Sequence, residues 1–134
     1  MEYLLDTNHV SPLVTIGHPL RERVLSAFQA GDRFVLTAAN LTEFLFGIGV
    51  TPRAAQNTRE WERLHDSIDV YSVDEEDAVR AARPQTSLRR RGWQLNTVDA
   101  LIAAIALRYD LTLLTADADF DAVPGLVRAN WLIP

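Results

Sequence analysis

Short apolar runs alternate with stretches of helical periodicity along this chain. Tyr3-Leu4-Leu5, Phe34-Val35-Leu36, Ile68-Asp69-Val70-Tyr71 and Leu111-Thr112-Leu113-Leu114 are three- to four-residue blocks that predict buried strands, with a weaker last one at Leu126-Val127. Between them, apolar side chains recur at helical spacing: Leu20, Val24, Leu25 and Phe28 before a stop at Gly31, then Leu41, Phe44, Leu45 and Ile48 behind Thr37 as a cap. A brief helix is expected behind Thr7. Thr51-Pro52 predicts another helix start, running to about His65. Asp74-Glu75-Glu76-Asp77 places negative charge where a helix dipole favours it, and Pro84 is expected to kink or divide that helix before Gly92. Thr97 to Tyr109 is the firmest helix, with Val98, Leu101, Ile102, Ile105 and Ala106 as its buried stripe. Strand and helix in alternation predict a three-layer α/β fold around a mainly parallel sheet.

Length fits this picture as one domain over residues 1–134, with no internal repeat and no linker. A hydrophobic content of 48% supports a packed core. The chain has no cysteine, which excludes disulfides, thiolate zinc sites and thiol nucleophiles. Its start, Met1-Glu2-Tyr3, does not read as a signal peptide, and no run approaches the ~20 apolar residues of a membrane span, so a cytoplasmic location without membrane attachment is expected. All 13 basic residues are arginine, which removes lysine as base, Schiff-base former or phosphate clamp. The net charge of −5 does not by itself suggest a nucleic-acid partner, but its distribution is uneven. Arg80, Arg83, Arg89, Arg90 and Arg91 form a basic stretch, followed by an acidic one containing Asp99, Asp110, Asp117, Asp119 and Asp121.

Most of the 18 acidic residues must be solvated surface. The informative ones sit where an open α/β sheet gathers side chains, in the crevice beyond the carboxyl ends of its strands. Asp6 ends the first strand and Asp117 follows the strand ending at Leu114-Thr115. Asp99 lies in the first turn of the long apolar helix, and Glu43 sits on the flank of an apolar stripe. Each has an ordinary role available: a cap for Asp6, a dipole partner for Asp99, an exposed position for Glu43, turn positions for Asp117 and Asp119. Together they form a candidate divalent-metal site, since crowded carboxylates require protonation, hydrogen bonds or a bridging cation. An all-oxygen ligand set selects Mg²⁺ or Mn²⁺ over zinc or copper. His9, His18 and His65 lack metal spacing, and His9 alone adjoins the candidate site. Trp61, Trp93 and Trp131 are expected in packing rather than in base stacking.

The same residues carry a specific resemblance. Leu4-Leu5-Asp6-Thr7-Asn8 resembles the opening motif of PIN-domain nucleases, and Thr42-Glu43-Phe44-Leu45-Phe46-Gly47 the second. Asp99-Ala100-Leu101-Ile102-Ala103-Ala104 resembles the third, and Leu114-Thr115-Ala116-Asp117-Ala118-Asp119-Phe120 the fourth. The motifs occur in order over nearly the whole chain, while Pro52 to Trp93 matches by pattern alone. Within that family, the length and the third motif are most similar to VapC-type toxins of bacterial toxin–antitoxin pairs. The resemblance implies a sheet of order 3-2-1-4-5, a Mg²⁺-dependent endoribonuclease, an antitoxin that fills the acidic pocket, and a homodimer. It implies Asp6, Glu43, Asp99 and Asp117 as the catalytic and metal-binding quartet, with Asp119 competing for the last place, and Asn8 and Thr115 as accessory polar groups. Arg89, Arg90 and Arg91 are candidates for contacts to RNA phosphates. Two rivals stand beside this reading: an inactive PIN-like binding subunit, and a phosphoryl receiver domain, which needs adjacent acids near its start and a later lysine that this chain lacks.

Overall fold

Five strands line up in parallel in the computed structural model, which describes residues 1–133. They are β1 (Glu2–Leu5), β2 (Arg33–Thr37), β3 (Asp69–Tyr71), β4 (Thr112–Leu114) and β5 (Arg128–Ala129), in the order β3-β2-β1-β4-β5. The order is the one the resemblance implied. In β1, Leu4 pairs with Val35 of β2 and Leu113 of β4, so that one register joins the three central strands. All three side chains are fully buried, which explains why these strands read as apolar runs rather than alternations.

The pleat splits the core into two layers. Leu4, Val35 and Leu113 face α5 (Glu75–Arg90) and α6 (Thr97–Arg108), against Ala81, Leu88, Ile102 and Ile105. Leu5, Phe34, Leu36 and Leu114 face the opposite layer, where α1 (Thr7–Val10), α2 (Pro19–Gln29), α3 (Ala38–Gly49) and α4 (Ala54–Leu64) contribute Val10, Val24, Phe44 and Trp61. Ile102 and Ile105 are both fully buried; at roughly 1.5–3 kcal/mol for each such side chain, they seat α6 firmly enough to fix the direction of its first turn.

Four local expectations shift. Asp6, not Thr7, caps α1. The Thr51 hydroxyl donates back to the Ile48 carbonyl, closing α3 instead of opening α4, which starts at Ala54. Pro84 leaves α5 continuous, because packing of Ala81 and Leu88 outweighs the one lost backbone bond. The last strand lies at Arg128–Ala129 rather than Leu126-Val127: Gly125 turns the chain at φ 77°, and pairing begins only when the Val127 carbonyl accepts from the Leu113 amide. Among the described residues, no helix is long and apolar enough to cross a membrane.

Candidate metal centre

Beyond the carboxyl ends of β1 and β4 the chain departs in opposite directions, to β2 on one side and β5 on the other, which is where such sheets open a crevice. Asp6 enters this crevice directly from β1. Its backbone amide donates to the Leu114 carbonyl (3.0 Å), which ties it to the end of β4. One carboxylate oxygen, Oδ1, accepts from the Thr7 amide (2.8 Å). The other, Oδ2, accepts from the Thr115 hydroxyl (2.7 Å) and from Asn8 Nδ2 (3.1 Å). Thr115 in turn accepts from the Asp117 amide (3.0 Å), and Asn8 Oδ1 accepts from the Ala116 amide (3.1 Å). The two polar positions singled out beside the acids therefore lock the loop after β4 onto the end of β1.

Asp99 arrives from the other layer. Asn96 caps α6: its Oδ1 accepts from the Asp99 amide (2.8 Å) and its Nδ2 donates to Asp99 Oδ2 (3.1 Å). Asp117 caps the 3₁₀ turn Ala118–Ala122 by accepting from the Asp119 amide (2.8 Å), so the two aspartates are tied together. Asp99, Asp117 and Asp119 each bring a carboxylate oxygen to within 4.8 Å of the others. Sequence spacing sets Asp117 and Asp119 against each other as competitors, whereas the fold brings both to the same point. Glu43, exposed on α3, reaches the group through Thr7, whose hydroxyl donates to Glu43 Oε1 (3.2 Å).

These acids sense one another. Burial raises the Asp99 carboxyl to about 7, helped by the negative charges of Asp6, Asp117, Glu43 and Asp119. Burial also raises Asp6, against the pull of its bonds from Thr115 and Thr7, with Asp117 and Glu43 adding to the rise. Among the described residues, no arginine forms an ion pair with Asp6, Glu43, Asp99, Asp117 or Asp119. Crowded oxygen donors with no internal countercharge suit a hard divalent cation. Among the described residues, no histidine joins the group of acids. His9, placed by its sequence near substrate, is fully buried, and burial lowers its imidazole to about 4. Its Nε2 accepts from the Trp131 amide (3.0 Å), which leaves Nδ1 to donate to Asn8 Oδ1 (2.6 Å).

Arg89 and Arg90 close the last turn of α5 and Arg91 caps it, all three exposed. Trp61 packs on Phe44, and Trp131 packs on Tyr3 and Phe34, as expected of core aromatics. Trp93 is instead half-exposed and donates Nε1 to the Asp119 carbonyl (3.0 Å), fixing the loop that carries this acid. Thr7 and Asn96 were missed as supports of Glu43 and Asp99. Asn96 had a readable signal, an asparagine immediately before a helix.

The chain has counterparts among known proteins: the PIN domain family matches residues 3–126. The chain belongs to the PIN-domain family. Ribonuclease VapC51 of Mycobacterium tuberculosis is 28% identical to this PIN domain over 140 residues, across 100% of this chain and 95% of that protein. The crystal structure of VapBC2 from Rickettsia felis, bound to a DNA fragment from its promoter, contains a chain that superposes with a TM-score of 0.84 at 20% identity. That match covers 98% of this chain and 99% of the other, and shows the fold. VapBC-5 of M. tuberculosis, a member of the VapBC family of toxin–antitoxin systems, matches with a TM-score of 0.66 at 25% identity, over 96% of this chain and 98% of that one.

Proposed function

We propose that this PIN domain is a Mg²⁺-dependent endoribonuclease, with Mn²⁺ able to substitute, acting as the toxin of a toxin–antitoxin pair. The observation that carries the reading is the convergence of Asp6, Glu43, Asp99, Asp117 and Asp119 in one crevice without an arginine among them. The ribonuclease name of VapC51 and the toxin–antitoxin membership of VapBC-5 support the substrate and the biological setting.

Asp99, Asp117 and Asp119, with Asp6 beside them, would hold the cation. When bound, it supplies positive charge that lowers the pKa of water and screens the phosphoryl oxygens. Asp6 is oriented by Thr115, Asn8 and Thr7, so its oxygens are held in place before substrate arrives. Asp117 has one oxygen committed to the Asp119 amide. Glu43 has a single tether and is otherwise exposed, which suits it to take the proton of the attacking water, while the departing RNA oxygen takes a proton from solvent as the P–O ester bond breaks. Arg89, Arg90 and Arg91 serve the RNA phosphates outside the acidic crevice.

The toxin acts in the cytoplasm as a homodimer, and its antitoxin silences it by covering the acidic crevice. Leu45, Phe46 and Val50 on and just after α3 are exposed apolar side chains near Glu43, a surface suited to a protein partner. The test is cleavage of a structured RNA pool by purified protein across a Mg²⁺ titration, with EDTA as control. Cleavage that appears with Mg²⁺ and stops with EDTA is expected; RNA left intact at millimolar Mg²⁺ and Mn²⁺ overturns the proposal.

A further inference from the structure

Two hollows flank the acids. One, about 310 Å³, is bounded by Thr115, Asp117, Asp121, Arg128 and Asn130, and its arginine is already paired with Asp121. The other, about 380 Å³, opens between the last turns of α5 and the loop leading into α6, with Gln85, Arg89, Gln94, Leu95, Asn96 and Asp119 in its walls. Asp117 belongs to the first hollow and Asp119 to the second, and the Asp119 amide bonded to Asp117 Oδ1 joins them. Asp117 and Asp119 therefore stand side by side in the walls of two recesses that differ in charge.

The larger recess has an unspent set of recognition groups. Arg89 is exposed and forms no ion pair among the described residues. The Gln94 amide has no hydrogen-bond partner among them either, leaving both its donor and its acceptor available. Gln85 commits Nε2 to the Thr97 hydroxyl (3.2 Å), and its side-chain oxygen has no hydrogen-bond partner among the described residues. Leu95, only 3% exposed, supplies an apolar floor. The Asn96 side chain faces Asp99 and is taken. The volume lies within the ~300–1,000 Å³ typical of small-ligand sites. A guanidinium for a phosphate, an open amide for a base edge and an aliphatic surface for a base face are the three contacts that one unpaired nucleotide needs.

We infer that this recess binds the nucleotide adjoining the cleaved phosphate in a single-stranded stretch of RNA, with Arg89 holding its phosphate and Gln94 reading its base. The inference rests on the ribonuclease reading and adds to it the side from which the strand is gripped. Base-paired RNA is expected to bind more weakly, because duplex base edges are not presented to such a recess. Arg89 and Gln94 are specificity-determining residues here, and the acids remain the chemistry.

The test is fluorescence anisotropy of short labelled single-stranded RNAs in EDTA, so that binding is read without cleavage. Arg89→Ala is expected to weaken binding about tenfold and to reduce the slope of log affinity against log salt by about 0.7. Arg59→Ala, the same loss of charge on the exposed side of α4, leaves both unchanged. With oligo-A, oligo-C and oligo-U as separate probes, Gln94→Ala compresses the differences in affinity that the unaltered protein shows. Both side chains are exposed, so neither variant removes core packing. Absence of binding by the unaltered protein, an Arg89→Ala no weaker than Arg59→Ala, or homopolymer preferences unchanged in Gln94→Ala overturns the inference. Failure of the ribonuclease reading shows elsewhere, as no cleavage in Mg²⁺, while the metal-free binding still decides the recess.

Discussion

Four acidic residues are buried among those described, and they fall into two pairs with opposite surroundings: Glu60 and Asp77, Asp6 and Asp99. Glu60 accepts from Arg21 (3.1 Å) on one oxygen and from Arg63 (3.0 Å) on the other, which pins α2 to α4. Asp77 accepts from Arg108 (2.8 Å) and from the Asp74 amide (3.0 Å), which pins α5 to α6. Asp6 and Asp99 are as deeply placed, yet every donor they meet is neutral. Burying a carboxylate without a countercharge costs several kcal/mol unless it keeps its proton. A chain with 13 arginines does not lack cations, and it supplies them at two buried acids. The other two have no such partner among the described residues, as the proposed metal site requires.

The largest effects should separate the pairs by kind. Asp6→Asn and Asp99→Asn are expected to lower Mg²⁺-dependent RNA cleavage about a thousandfold while the protein remains folded by circular dichroism. Glu60→Gln and Asp77→Asn should cleave normally per folded molecule but unfold at lower urea concentration, because each loses an ion pair that ties two helices together. Equal losses of cleavage in all four variants would erase the distinction.

A smaller effect sharpens it through pH. Asp99 rises from 3.8 to about 7 in the folded protein, so between about pH 4 and 7 the native state holds a proton that the unfolded chain has released. Its contribution to metal-free stability is therefore fully present at low pH and is lost as pH rises through 7. His9 works the other way. With its imidazole lowered from 6.5 to about 4, it favours the native state above pH 6.5 and loses that contribution as pH falls toward 4. Comparing the unaltered protein with Asp99→Asn cancels His9 and isolates the acid. In EDTA, the melting temperature of Asp99→Asn relative to the unaltered protein should climb from pH 4 to 7 and level off above it. A difference that stays constant across that range would contradict the assigned cause.

These contrasts also mark what the chain discloses before folding. Asp6 and Asp99 are legible because local rules place them: one ends an apolar run that must be a central strand, the other opens the most apolar helix. The parallel sheet follows from runs such as Leu111-Thr112-Leu113-Leu114, buried on both faces. Asp77 reads in sequence as a dipole charge at a helix start, and its burial depends on Arg108, 31 residues later. Glu60 sits in a run of charged residues and is inside only because Arg21 approaches from 39 residues away. His9 is buried through Trp131, 122 residues distant. Periodicity reports which face of an element is apolar. It does not report which distant donor arrives to satisfy a polar group on that face, and the Arg89 recess, formed between two elements and a loop, is invisible for the same reason.

Calorimetric titration of Mg²⁺, and of Mn²⁺ as a second probe, into metal-free protein bears most directly on the bare pair. Saturable binding is expected in the unaltered protein and in Asp77→Asn, with loss of binding in Asp99→Asn. No binding at millimolar cation, or equal binding in Asp99→Asn, would show that these unpaired acids do not wait for a metal.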